Sequence, residues 1–304
     1  MFELYNKFSV YLSDKYGGKT YKLPLNVAGT CPNKDGTLGF EGCVFCGEES
    51  AGFESLSTEQ SIKEQIEWTA ELVRRKYGAK HFIAYFQNWS GTYRPLEDLE
   101  RMVREACALG VVAVYIATRP DCVDDERLSL LKDLKAELGV DIVLELGLQT
   151  VNESALKLLN RGHGVAEFVD AVTRIHAHDL EVCAHMILGL PFDDMNDVIE
   201  GAKLLSRLGV SQAKCHSLFI LEKTKLGEMY QNGEFEMISK DEFIERVIAF
   251  LSNLSPQITV QRLLGRAAEG KALFCNWDMS WWKLLDEIEA KMRETGIKQG
   301  QKFE

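Results

Sequence analysis

Asp141-Ile142-Val143-Leu144-Glu145-Leu146-Gly147-Leu148-Gln149 carries two characters on alternate residues. Glu145, Gly147 and Gln149 share one face, whereas Ile142, Leu144, Leu146 and Leu148 share the other. Successive side chains of a strand point to opposite faces, so the apolar set suits a covering helical layer and the polar set a wet interior. Four further segments repeat the division. Cys183, His185 and Ile187 share a face in Glu181 to Leu188, and Lys214, His216 and Leu218 do so in Ser211 to Ile220. Tyr85 pairs with Gln87 in Phe82 to Gln87, and Tyr115 and Ala117 with Arg119 at the end of Val111 to Thr118. An open sheet covered by helices on both sides would be apolar on both faces. A curled sheet with a functional interior fits better.

The surrounding chain supplies the crossovers. Leu23 to Gly29 reads as the first strand, and helical periodicity follows over Ser61 to Tyr77, Pro95 to Leu109, Asp124 to Leu138, Asn152 to Leu159, Val165 to His178 and Met195 to Leu208. Six strands joined through helices predict an α/β fold, a partial (β/α)6 TIM-type barrel, by the right-handed crossover rule. Beyond Lys225 the rhythm changes. Helices are expected over Asp241 to Leu254 and Asp278 to Glu294, and Ile258 to Leu264 is compatible with a strand. The expected organisation is a barrel core over 1–225, with segment 1–20 packed on it, and a mainly helical C-terminal extension over 226–304. Active sites of such barrels lie at the carboxyl edge of the strands.

The loop leaving the first strand at that edge contains Cys31, Cys43 and Cys46, spaced C-x11-C-x2-C, with Gly36, Gly39 and Gly42 between them. Thiolates gathered this closely suit a soft metal or an iron–sulfur cluster. A structural zinc site wants four ligands, and the nearest spare candidates, His81 and Cys107, are far along the chain. A thioredoxin-like pair should open a helix, whereas Pro32 and the glycines make loop. The other five cysteines read as small buried hydrophobes, with Cys183 placed to reach a ligand.

Across 304 residues the net charge is −11, which argues against an extended nucleic-acid footprint, DNA included. Two small basic clusters, one at Arg74, Arg75, Lys76 and Lys80 and one at Lys291, Arg293, Lys298 and Lys302, read as solvated faces. No run of about 18 apolar residues appears, so neither a membrane span nor a signal peptide is expected, and the expected residence is cytoplasmic, with reduced thiols.

At the three cysteines the sequence resembles the radical SAM superfamily. Thr30-Cys31-Pro32-Asn33, Gly42-Cys43-Val44-Phe45-Cys46, Thr118-Arg119-Pro120-Asp121, Glu145-Leu146-Gly147-Leu148-Gln149-Thr150 and Gly189-Leu190-Pro191 are similar to the branch containing the catalytic subunit of Elongator. Leu159-Asn160-Arg161-Gly162-His163 is similar to oxygen-independent coproporphyrinogen oxidases, and nearly the whole chain resembles functionally unassigned bacterial members of similar length. The resemblance implies a [4Fe–4S] cluster on Cys31, Cys43 and Cys46 and S-adenosylmethionine (SAM) on its open iron. It implies Phe45 and Gly189, Leu190 and Pro191 beside the adenine, Gln87 and Asn88 near the amino group, Glu145 and Gln149 near the ribose, and Arg161 near the carboxylate. It further implies an organic substrate, in the Elongator branch a wobble uridine of tRNA, and a flavodoxin or ferredoxin as electron donor. A small-molecule substrate, or an iron–sulfur protein without SAM chemistry, are the alternatives. On the interior face Lys214, His216, His185 and Cys183 are the candidate catalytic residues, against a role as satisfied core groups. Arg119 and Asp121 read equally as a strand-end salt bridge, and Glu48 and Glu49 as solvated acids.

Overall fold

In the computed structural model the strands are β1 (Thr20–Leu25), β2 (His81–Phe86), β3 (Ala113–Thr118), β4 (Asp141–Gln149), β5 (Glu181–Ile187), β6 (Gln212–His216), β7 (Phe219–Leu221), β8 (Thr259–Arg262) and β9 (Ala272–Cys275). The structure describes residues 3–47, 55–267 and 270–303; Glu48 and Glu49 lie outside them. Seven strands pair in parallel in the order β1-β2-β3-β4-β5-β6-β8, and β7 pairs with β9 in a separate antiparallel ribbon. The helices are α1 (Phe8–Tyr16), α2 (Ile62–Tyr77), α3 (Leu96–Cys107), α4 (Asp125–Leu138), α5 (Glu153–Leu158), α6 (Val165–Ala177), α7 (Met195–Leu208), α8 (Lys225–Gln231), α9 (Lys240–Asn253) and α10 (Trp281–Thr295).

Local chemistry sets the helix ends. Ser61 and Glu64 form a reciprocal capping box on α2, Asp124 caps α4 and Asp194 caps α7, while Gly78, Gly139 and Gly209 close the same helices in the left-handed conformation. The outward apolar faces of the strands, including Leu23, Ala84, Ile116, Leu144, Ala184 and Ala213, disappear under the helical layer. β1 and β8 lie at opposite edges of the sheet, yet Lys22 Nζ reaches Gln261 Oε1 at 3.0 Å. Only a curled sheet brings those edges together, as the alternation of polar and apolar faces predicts.

Three features depart from the expected elements. The sheet has a seventh strand, β8, drawn from the region read as an extension, because its register continues from β6 at Gln212–Thr259 and Ala213–Val260. β1 ends at Leu25, not Gly29: the Gln65 side chain takes both the Asn26 amide (2.8 Å) and its carbonyl (2.8 Å), so the ladder stops. The segment expected to run as one strand from Ser211 to Ile220 breaks at Ser217 and Leu218, where Leu218 turns left-handed (φ 67°).

The amino-terminal segment closes the barrel. Val260 donates its amide to Asn6 O at 2.8 Å, which covers the β8 edge. Leu12, with Phe8, Tyr11 and Tyr16, packs into the barrel's lower interior against Ile83, Tyr85, Ala113, Tyr115 and Val143. The lumen therefore has a floor made by α1.

Candidate active site

The cysteine loop is tied to the segment after α5. Asn160 Nδ2 donates to Gly42 O (2.7 Å), Val44 donates its amide to Leu159 O (3.1 Å), and Asn33 Nδ2 donates to Asn160 O (2.7 Å). Gly36 and Gly42 hold left-handed angles (φ 93° and 75°) that let the loop turn back on itself. Two donors converge on the buried Cys43 sulfur: Arg161 Nη1 at 3.1 Å and Asn33 Nδ2 at 3.6 Å. Cys31, Cys43 and Cys46 are free thiols. Burial raises the Cys46 thiol above its ordinary range, while Lys34 and Arg161 pull the other way.

Two occupants make different demands on such a donor set. A single zinc ion holds thiolates at about 2.3 Å, hence about 3.8 Å from one another. Among the described residues the ligand atoms that all fall within 4.8 Å of one another belong to Glu145, Cys183 and His185, not to the loop cysteines. The wider thiol spacing, with a cationic and an amide donor on Cys43, fits a [4Fe–4S] cluster better than a lone ion.

Around the loop the expected SAM contacts fall into two groups. Phe45 packs in an apolar cluster with Leu159, Ile187, Leu190 and Leu218, and the Arg161 guanidinium lies 5.9 Å from its ring centre. Arg161 also donates from Nη2 to Gly147 O at 2.9 Å, and its Nε is buried without a partner. A side chain at Gly147 would collide with Gln149 Nε2 (2.7 Å) and Arg161 Nη2 (2.9 Å), so this glycine lets both fold over β4. Gly189 passes so close to the chain leaving β6 that a Cβ would sit 2.0 Å from Ser217 O. Pro191 follows it, half-buried. Gln87 is half-buried at the β2 end, and Asn88 is buried and bonded to Asn26 Oδ1. Arg119 is buried in a two-pronged pair with Asp121 (2.9 and 2.7 Å), the strand-end salt bridge.

Glu145 sits elsewhere than beside these groups. Its oxygens bind Lys22 Nζ, Gln261 Nε2 (2.9 Å), His185 Nε2 (2.8 Å) and Lys214 Nζ (3.1 Å), at the centre of the barrel wall. Lys214 also reaches the Tyr85 hydroxyl (2.6 Å), and Lys22 lies 3.7 Å from the Tyr85 ring centre. Burial would push the Glu145 carboxyl up, but Lys214, Lys22 and His185 hold it well below the usual range. Burial pushes His185 down to about 4 and His216 well below its ordinary value, so both rings are neutral near pH 7. The Cys183 thiol, driven up by burial and Glu145, stays protonated. Glu145, Cys183 and His185 have the spacing of a cation site, but the same carboxylate already neutralises two lysines, which opposes a divalent ion there.

Lys214, His185, His216 and Cys183 therefore do come together, on one wall. The sequence reading missed Lys22, Gln261 and His163. Lys22 lies before the expected start of β1 at Leu23, whereas the strand begins at Thr20, and the alternation across Thr20 to Leu25 would have found it. Gln261 was assigned to the extension. His163, held neutral by burial and by Arg161 (pKa about 3), accepts from Arg161 Nη2 at 2.9 Å and orients that guanidinium.

A family model described as the radical SAM superfamily matches residues 26–205, and a second, the radical SAM C-terminal domain, matches residues 210–294. The uncharacterized protein MJ0486 of Methanocaldococcus jannaschii is 33% identical over 304 residues, spanning 99% of this chain and 92% of that protein. YtqA of Bacillus subtilis, also uncharacterized, is 31% identical, spanning 99% and 93%. A tRNA uridine(34) acetyltransferase of Methanocaldococcus infernus is 29% identical over 173 residues, which is 54% of this chain and 30% of that protein. Among solved structures, the archaeal Elp3 of M. infernus with an N-terminal deletion superposes with a TM-score of 0.68 at 18% identity, covering 92% of this chain and 64% of that one.

Proposed function

Because the chain belongs to the radical SAM superfamily, an enzyme family that uses a [4Fe–4S] cluster and SAM, we propose that Cys31, Cys43 and Cys46 are its cluster ligands. Bound together, the two cofactors supply reductive cleavage of SAM to methionine and a 5′-deoxyadenosyl radical that takes hydrogen from an organic substrate. The observation that carries the assignment is the convergence of Arg161 Nη1 and Asn33 Nδ2 on Cys43 Sγ. Donors of this kind lower the cost of a buried thiolate and orient it. Phe45 and Leu190 offer an apolar slot for adenine, Gln149 a polar contact to the ribose, and Arg161 a cation for the SAM carboxylate. His163 and the Gly147 carbonyl fix the Arg161 plane, so that guanidinium meets SAM already oriented. Gln87 and Asn88 stand at the β2 end for the amino group. Glu145, whose oxygens are engaged by Lys22, Lys214, His185 and Gln261, organises the barrel wall on which Lys214, His185, His216 and Cys183 meet the substrate.

For the substrate we propose a uridine in RNA, supported by the likeness of half of the chain to a tRNA uridine(34) acetyltransferase. A second reading, a small organic molecule, is favoured by the α1 floor of the lumen, which makes a closed cup, and by the net charge of −11. The electron donor is proposed to be a flavodoxin or ferredoxin.

Anaerobic reconstitution followed by reduction in the presence of SAM tests the chemistry. The wild type should show cluster absorbance and release 5′-deoxyadenosine, and Cys31→Ala, Cys43→Ala and Cys46→Ala should each lose both. A single variant retaining both sinks the three-ligand assignment. A tRNA nucleoside missing or accumulating in a deletion strain supports RNA; an unchanged nucleoside profile moves the substrate to the small-molecule class.

A further inference from the structure

Lys22 and Lys214 share one carboxylate. Glu145 pairs with both, and among the described residues no second acid lies within salt-bridge distance of either lysine. Their other polar partners are neutral: the Tyr85 hydroxyl and the Gln261 amide. The wall also touches open space. The Lys22 and His185 side chains are each 15% exposed and Lys214 8%, whereas their outward-facing neighbours Leu23, Ala184 and Cys215 are fully covered. Charge held in such a recess without a protein counter-ion is costly unless a ligand supplies one or a proton leaves.

We propose that the barrel interior between β1, β6 and β8 is an oxyanion-binding site, built on Lys22 and Lys214, that takes a carboxylate or phosphate of the organic substrate. This rests on the reading of the lumen as the substrate cavity of a radical enzyme. It holds equally for a small acid or for an anionic co-substrate used alongside RNA.

Titration behaviour agrees. Burial, with Lys22 and Arg262 adding repulsion, brings Lys214 down to about 7 despite Glu145. The other facing groups do not change charge near neutrality. On β2 and β3 the Tyr85 and Tyr115 hydroxyls are raised, as is Tyr11 on α1. On β4 Glu145 is ionised; on β5 Cys183 stays a thiol and His185 neutral; on β6 His216 is neutral. Lys22 is lowered too, by burial. An oxyanion favours the charged form of Lys214, so binding should take up protons and tighten as pH falls through about 7.

The test is calorimetry on the cluster-loaded enzyme without SAM, titrated with inorganic phosphate and separately with succinate, on both sides of pH 7 and in buffers of different protonation heat. Saturable binding with proton uptake is expected. Phosphate alone binding assigns a phosphate ester, and succinate alone a carboxylate. Lys22→Met and Lys214→Met should each weaken binding about tenfold. Cluster absorbance and thermal midpoint report whether each variant is folded. No saturable binding to the wild type, or undiminished binding in the folded Lys22→Met and Lys214→Met variants, overturns the proposal. If the wild type cleaves SAM yet binds neither oxyanion, only this inference falls; if it fails to cleave SAM, the proposed function falls independently.

Discussion

Gly189 and Arg161 show how much of the site depends on single atoms. At Gly189 the chain leaving β5 runs against the carbonyl of Ser217, with room for a hydrogen and nothing more. Gly189→Ala is therefore expected to destabilise the fold by about 1–3 kcal/mol, as overpacking does, in urea denaturation. A wild-type midpoint would refute the close approach. Arg161 was legible as a candidate because it lies in a recognisable motif, but its bonds to Cys43, Gly147 and His163 were not. Those partners are 118, 14 and 2 residues away, and no periodicity relates them. Lys22 was legible from the alternation across Thr20 to Leu25, but its place beside Glu145, 123 residues away, was not. The end of β1 was hidden for a different reason: it is set by the Gln65 side chain, which lies on α2 and competes for the Asn26 backbone.

Two elements act on the site from outside the expected core. α1 plugs the lumen through Leu12, which the sequence suggested only as a segment packed on the barrel, because nothing in Phe8–Tyr16 says which surface it will meet. α9 carries the buried Arg246, which donates to Leu190 O at 2.8 Å and to Asp193 O at 2.7 Å. It clamps the Gly189-Leu190-Pro191 turn by its backbone, and Glu242 one helical turn earlier neutralises it (2.7 Å). Arg246→Met keeps the aliphatic stem and removes charged hydrogen bonds to carbonyls in a covered site. SAM affinity, read by equilibrium dialysis on the cluster-loaded protein, should fall about tenfold. Unchanged affinity would separate α9 from the turn. Periodicity identified α9 as amphipathic, but its buried arginine could not be matched to a partner more than 50 residues away.

At the scale of the molecule, the boundary expected at residue 225 cuts across the sheet. β8, from residues 259–262, pairs with β6, and the segment before α1 pairs with β8 in turn. We propose that residues 1–225 and 226–304 form one cooperative unit. A chain ending at 225 leaves the β6 edge unpaired and removes Gln261 from Glu145, so it is expected to aggregate and to give no cooperative thermal transition, whereas the full chain melts once. Two separable transitions in the full chain would show that the extension folds by itself. The sequence alone determined the α/β class, the parallel order of the first six strands, the wet inward face and the three thiols at its carboxyl edge. Each of these follows from local information: alternation along a strand, helical spacing between strands, and cysteine spacing within one loop. Tertiary structure decided which charges share the lumen. Lys22, Glu145, Lys214 and Gln261 come from four strands spread over most of the chain, and they meet because the sheet curls until its first and last strands face each other. Alternation along the strands announces a curled sheet, but which side chains face each other across the lumen is a property of the assembled sheet, so no stretch of sequence carries it.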